Sequence, residues 1–187
     1  MSHYLDIHLL PNPEIPAYQL LAALYAKLHR ALVQLDTSRI AVSFPDYSQS
    51  PAHLGSRLRL IGPEADLHEL LTLEWRKGIR DHIQVAPIAD VPAHAVPRAL
   101  RRVQAKSSPE RLRRRQIRRH ALTEAQARER VPDTVGERLK LPFVQLASSS
   151  TGQPFRIYLR LSAPAANHVI DKFNGYGLSG TATIPWF

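Results

Sequence analysis

Cysteine is absent from the 187-residue sequence, which excludes disulfides, thiolate catalysis and every cysteine-based zinc site. Long apolar runs are missing as well, and none reaches the roughly 18 residues of a membrane span. No basic segment followed by an apolar one stands at Met1-Ser2-His3-Tyr4-Leu5-Asp6, so the expectation is a cytoplasmic chain with no signal peptide and no membrane partner. Metal-ligand spacing is also wanting. The histidines are scattered, and His68-Glu69-Leu70-Leu71-Thr72 misses the H-E-x-x-H zinc motif at its last position, so neither a metal nor a cofactor is expected. What is present is a hydrophobic fraction of 44%, ordinary for a globular chain and sufficient, at this length, for a substantial core.

Charge is the informative property. The net charge is +9, and the stretch from Arg98 to His120 accounts for all of it, with nine arginines and Lys106 opposed only by Glu110. The remainder of the chain is electrically balanced. A charge that serves solubility is dispersed, whereas one concentrated in a short segment points to a polyanionic partner.

Hydrophobic periodicity predicts strands at Tyr4–Leu10, Arg39–Phe44 and Leu54–Ile61, and possible strand structure at Val85–Val91. Helices are expected from Pro16 to about Gln34 and from Pro63 to about His82, the second with Leu67, Leu70, Leu71, Trp75 and Ile79 on one side. That order, βαββαβ, is the ferredoxin-like arrangement. The fold class is therefore read as α+β, with a ferredoxin-like domain over residues 1–94 and a smaller α+β domain carrying the Arg-rich segment over residues 95–187. The Pro92–Pro97 stretch is read as the linker between them. In the second half, Ser107-Ser108-Pro109-Glu110 has the form of a helix start, an N-cap serine before a first-turn proline. The helix runs to about His120. Thr123-Glu124 caps a shorter helix that ends before Pro132, and Pro142–Ala147 with Phe155–Leu161 form a hairpin around the turn Ser148 to Gly152.

Arg111, Arg114, Arg115 and Arg118 fall at i, i+3, i+4 and i+7, which places them on one stripe that Arg113 and Arg119 widen. Only Leu112 and Ile117 offer apolar contact, so this helix is not bound for a core. A merely solvated face would intersperse Glu for i,i+4 pairing, and none follows Glu110. Arginine in place of lysine favours bidentate contacts to phosphates and guanine edges. Upstream, Arg102 and Gln104 project to the same side of an extended segment, and these residue types suit guanine and adenine respectively.

Candidate chemistry outside that segment is sparse. His29 lies beside the leucine stripe of the first helix, one turn after Tyr25; it is either structural or a proton-transfer group, since imidazole titrates near pH ~6.5. Ser148, Ser150 and Thr151 fill a turn, where small hydroxyl residues are common for conformational reasons, yet with Gly152 they can equally present hydroxyls and N–H groups to a phosphate. Gly175-Tyr176-Gly177-Leu178-Ser179-Gly180 matches G-x-G-x-x-G letter for letter. A dinucleotide site would need a helix after it and an acidic residue about 20 positions on, and only Thr181 to Phe187 follow, so that reading is rejected.

These residues together resemble the type I-F CRISPR repeat endoribonucleases, which cut precursor CRISPR RNA, along essentially the whole chain. The most specific segments are Arg102-Val103-Gln104-Ala105-Lys106-Ser107, the following Pro109-Glu110-Arg111-Leu112-Arg113-Arg114-Arg115, the Ser148-to-Gly152 turn, Gly175-Tyr176-Gly177-Leu178-Ser179 and Pro185-Trp186-Phe187. The resemblance implies an Arg-rich helix in the major groove of a repeat stem-loop, with Arg114, Arg115, Arg118 and Arg119 on phosphates or bases. It implies that Arg102 and Gln104 read base pairs at the foot of the stem and that Phe155 stacks under the last pair. His29, Ser148 and Tyr176 then match active-site positions, with Ser150 and Thr151 near the scissile phosphate. The implied reaction needs no metal: the ribose 2′-OH attacks its own 3′ phosphate, and the product stays bound and joins the other subunits of a surveillance complex. Two other classes share the basic helix, a non-catalytic binder of RNA hairpins and a DNA-binding helix-turn-helix protein.

Overall fold

The computed structural model describes residues 1–104, 109–132, 139–148 and 151–187. It is a mixed α/β chain with antiparallel sheets and, among the described residues, four α-helices. In chain order the elements are β1 (His3–Leu9), α1 (Ala17–Leu35), β2 (Ala41–Ser43), β3 (Ser48–Gln49), β4 (Ala52–His53), β5 (Arg57–Gly62), α2 (Glu64–Thr72), β6 (Ile83–Val85), β7 (Ala89–Asp90), β8 (Val96–Arg98) and β9 (Leu100–Val103). There follow α3 (Pro109–His120), α4 (Glu124–Arg130), β10 (Phe143–Ala147), β11 (Pro154–Leu161) and β12 (Ile184–Trp186). These group into two compact units, Met1–Arg102 with Leu141–Phe187, and Val103–Lys140.

In the larger unit the main sheet has the order β2-β5-β1-β6, with β7 also paired to β1 and all neighbours antiparallel. Helix α1 joins β1 to β2, and α2 joins β5 to β6. Alternation places Leu5 and Ile7 of β1 and Leu58 and Leu60 of β5 in the core, where Leu21, Leu24 and Leu28 of α1 and Leu67 and Leu70 of α2 are buried with them. The other face of these strands carries a buried ion pair. Asp6 and Arg59 are cross-strand partners; Arg59 Nε and Nη2 donate to the Asp6 carboxylate at 2.7 and 2.8 Å. The guanidinium lies 3.7 Å from the Phe187 ring centroid and 4.6 Å from that of Tyr4. The Leu–Arg alternation of β5 therefore does not put Arg59 in solvent. A bidentate partner and two aromatic faces replace the water that a buried cation would otherwise lack.

Three smaller pairings complete this unit: β10-β11-β9, β12 with β8, and β3 with β4. The segment read as a linker ends in a strand, since Val96–Arg98 is paired along Ile184–Trp186. Helix α2 stops far short of His82. Leu73 is already extended, at φ −71° and ψ 140°, and the indole of Trp75 donates to the Leu70 carbonyl at 3.0 Å while Arg76 donates to that of Leu71 at 3.2 Å. Side chains thus take up the helix-end carbonyls, and the chain continues through Gly78, at φ +77°, to a short 3-10 turn at Arg80–His82. The strand expected over Val85–Val91 is split into β6 and β7; Pro87, which lacks an N–H, falls in the gap.

In the smaller unit α3 and α4 pack on each other. Thr123 caps α4 in a capping box with Gln126, its hydroxyl accepting from the Gln126 N–H and its own N–H donating to the Gln126 side chain. No residue of α3 is buried. Its half-buried positions are Pro109, Leu112, Arg113, Gln116 and Ile117, while Arg111, Arg114, Arg115, Arg118 and Arg119 are exposed. Arg113 is thus on the packed side, where its Nε donates to the Val131 carbonyl at 2.8 Å, and it does not widen the exposed stripe. The serines expected to cap α3, Ser107 and Ser108, lie outside the described residues.

Candidate active site and nucleic-acid interface

Tyr25 and His29 stand one turn apart on α1, so their side chains point to the same side of the helix. Both grip the glycine-rich loop at successive carbonyls. His29 Nδ1 lies 2.8 Å from the Gly175 carbonyl oxygen, and the Tyr25 hydroxyl donates to the Tyr176 carbonyl at 2.8 Å. A carbonyl only accepts, so His29 Nδ1 carries the proton, and in the neutral ring the lone pair is on Nε2. The Tyr176 ring stacks flat on the imidazole, with centroids 3.8 Å apart and planes 7° from parallel. Ring plane and tautomer are therefore both fixed, and Nε2 is the atom free to accept or return a proton.

The loop is shaped for this contact. Asn174 Oδ1 accepts from the Tyr176 N–H at 2.9 Å and the Leu178 N–H at 3.3 Å, and its backbone N–H donates to the Leu178 carbonyl at 2.9 Å. Gly177 has φ +68°, and a Cβ there would sit 2.5 Å from Val42 Cγ2. At Gly175 a Cβ would sit 2.9 Å from Val33 Cγ2 and 3.5 Å from the imidazole. Both glycines therefore serve close packing of the loop on α1 and β2, the latter sealed by the Val42 N–H donating to the Gly177 carbonyl at 2.9 Å. No helix follows the loop; the next element is β12. Tyr25 itself is fully buried. Burial pushes its phenol pKa well up, with the neighbouring Tyr176 adding to the effect and Arg102 opposing it, so it stays a protonated donor.

The other expected site residues fall in three places. Ser148 follows the hairpin strand β10 and shapes the turn: its carbonyl accepts from the Gly152 N–H at 2.8 Å and its Oγ from the Thr151 N–H at 3.3 Å. Thr151 is exposed, and Ser150 lies outside the described residues. Phe155 is half-buried on the inner face of β11, packed against the core. Arg102, in β9, and Gln104, just past it, are exposed. Arg114, Arg115, Arg118 and Arg119 form the exposed face of α3 in the other unit. The structure thus brings His29 and Tyr176 into contact, and Ser148 and Thr151 into one turn.

Reading the residues overlooked Tyr25 and Asn174 as parts of the site. Tyr25 had a local signal, its i,i+4 spacing to His29; Asn174 had only its place before a glycine.

The model of the family described as CRISPR-associated protein (Cas_Csy4) matches residues 4–187. A protein of Pseudomonas aeruginosa (strain UCBPP-PA14) named CRISPR-associated endonuclease Cas6/Csy4 is 50% identical over 187 residues, covering 100% of both chains. A protein of the same name from Escherichia coli (strain UTI89 / UPEC) is 44% identical over the same length, again covering 100% of both. With a clamped imidazole, a face of arginines and similarity from end to end, this chain belongs to the Cas_Csy4 family of CRISPR-associated proteins.

Proposed function

We propose that this chain is a sequence-specific endoribonuclease that binds a CRISPR repeat stem-loop and cuts it at the 3′ base. The observation that carries the reading is the held imidazole: His29 Nδ1 engaged by the Gly175 carbonyl at 2.8 Å and its ring stacked on Tyr176. That bond leaves the Nε2 lone pair for the proton transfer that a general base performs. Nε2 takes the proton of the ribose 2′-OH, the 2′ oxygen attacks the adjacent phosphorus, and the bond to the 5′ oxygen breaks. The products are a 2′,3′-cyclic phosphate and a 5′-OH whose oxygen has taken up a proton. Ser148 holds the ribose in line for attack, with Ser150 and Thr151 near the phosphate.

Arg114, Arg115, Arg118 and Arg119 clasp the stem, Arg102 and Gln104 read its lowest pairs, and Phe155 stacks beneath the last one. The cut RNA stays bound and joins other subunits of a type I-F complex in the cytoplasm. The order β2-β5-β1-β6, with helices after the first and third strands of the βαββαβ series, supports a ferredoxin-like arrangement for the 1–94 domain, with 95–187 as the RNA-binding domain.

The test is to incubate the protein with an end-labelled repeat hairpin and EDTA and to map the ends. Metal-independent cutting at one position, abolished when the nucleotide before the cut is 2′-deoxy, is the expected result. Cutting that EDTA stops would call for a metal nuclease, and a hairpin bound but never cut would leave only the binding role.

A further inference from the structure

A second feature of the larger unit is unused by this mechanism. Beside the starts of α1 and β10 is a groove of about 1010 Å³ whose lining includes Tyr18, Ala22, Phe143, Gln145 and Arg156. Two of its aromatic residues are uncovered: Tyr18 is 69% exposed and Phe143 is 41% exposed. On the outer face of the hairpin Phe143 and Tyr158 are cross-strand partners with ring centroids 5.4 Å apart. Arg156 bridges the group, its guanidinium carbon 4.5 Å from the Phe143 ring centroid, its Nε donating to the Gln145 side-chain oxygen at 3.4 Å and its Nη1 to the Tyr158 hydroxyl at 3.5 Å.

Arg156 lines the groove, and no carboxylate does. Asp46, which meets Gly55 and Ser56 at the rim, is paired with Arg57 at 2.9 Å. Exposed aromatic rings held by an arginine, with an amide alongside, are what unpaired bases stack on; sequence-tolerant single-strand sites combine these elements with positive charge. A negatively charged, base-bearing strand matches both the exposed rings and the cation of this surface.

Placement relative to the candidate active site is the second observation. Tyr18 and His29 are 11 residues apart on α1, about three turns, so they lie on the same side of the helix and about 16 Å from each other. Strand β10 packs along α1 and likewise leads from Phe143 at the groove to Ser148, about 16 Å away. Both elements therefore lead from the groove to an expected catalytic residue, over a span that a few nucleotides bridge. Phe155, expected under the stem, is on the opposite face of β11 from Arg156, so the two aromatic sites are distinct.

We infer that this groove binds the single-stranded RNA on the 3′ side of the cut, with bases stacking on Tyr18 and Phe143 and phosphates near Arg156. The inference rests on the endoribonuclease reading above. Its test uses the full chain and a hairpin made uncleavable by a 2′-deoxy substitution, with and without a short 3′ oligo(U) extension. The extension is expected to tighten binding about tenfold. Phe143→Ala, Tyr18→Ala and Arg156→Gln should each remove most of that gain while leaving affinity for the bare hairpin and the melting temperature unchanged.

An extension that adds nothing, or a gain that survives all three substitutions, would overturn the assignment and turn attention to a protein partner for this face. Failure to bind the bare hairpin would instead undo the reading of the stem-loop site. In that case oligo(U) alone still decides the groove: binding lost in Phe143→Ala upholds it, and no binding refutes it.

Discussion

The helix α3 and the loop around Tyr176 are built on opposite terms. In α3 no residue is buried, and Arg114, Arg115, Arg118 and Arg119 are exposed. Around Tyr176 the polar groups meet one another: the His29 and Tyr25 side chains reach across about 150 positions of sequence to adjacent loop carbonyls, and Asn174 closes the turn between them. In the proposed function one region holds a partner by number of charges, where each contact adds a share. The other sets a single imidazole, where a small displacement undoes the geometry. The difference predicts that damage to α3 is graded and salt-dependent, while damage to the loop is abrupt and confined to the reaction.

The largest effect is expected from replacing Arg114, Arg115, Arg118 and Arg119 together by Gln. With each charge-assisted contact contributing roughly 1.5–3 kcal/mol, stem-loop affinity should fall by at least about 10⁴-fold, and the slope of log K against log salt should flatten by about three. Equilibrium binding across a salt series reads both quantities. Retained affinity would mean that α3 is not the RNA-binding element. His29→Ala sharpens the contrast from the other side. Single-turnover cleavage should drop by roughly 10²–10⁴-fold with hairpin affinity unchanged, and undiminished cutting would remove His29 from the mechanism.

Glycine substitutions test the loop alone. Gly177→Ala places a Cβ 2.5 Å from Val42 Cγ2 on a backbone at φ +68°, so a stability loss of about 1–3 kcal/mol together with slower cleavage is expected in denaturant titration and rate assays. Gly180→Ala, where a Cβ meets nothing within 4 Å, should change neither. Equal tolerance at the two positions would show that the loop is not packed as described.

The smallest effect is the alkaline slope from Tyr25. Burial raises its phenol pKa above the ordinary 10.0, so the folded chain keeps a proton that the unfolded chain releases. Its contribution is complete below about pH 10 and is lost as pH rises beyond it, by about 1.4 kcal/mol per unit at most. Tyr25→Phe should make the urea midpoint less sensitive to pH between 9 and 11; an unchanged slope would mean that Tyr25 is not the group responsible.

Local signals carried well from residues to structure. The i, i+3, i+4 arginines of α3, the Thr123 cap and the β10–β11 hairpin depend on neighbours in sequence, and they stand where periodicity and turn chemistry put them. Errors arose where side chains reached beyond the pattern of their own element. Trp75 and Arg76 turn back onto the Leu70 and Leu71 carbonyls and end α2 early. Asp6, from another strand, brings Arg59 under cover, and Val131 engages Arg113 on the packed side of α3. The glycine pattern at Gly175 to Gly180 is followed by β12 rather than a helix, and its purpose was not readable, because what a glycine makes room for lies on another element.

By itself the sequence determined that this molecule carries its excess positive charge in one short segment, Arg98 to His120, has no thiol chemistry and mixes helices with strands. Those properties follow from composition and from spacings within a few turns of chain. Only the tertiary structure decided that His29 is held at Nδ1, that Tyr176 lies flat against it, and that Tyr18 and Phe143 line one groove. Each of these joins residues far apart in the chain, and such a contact is set by how helices and strands pack, which no local pattern encodes.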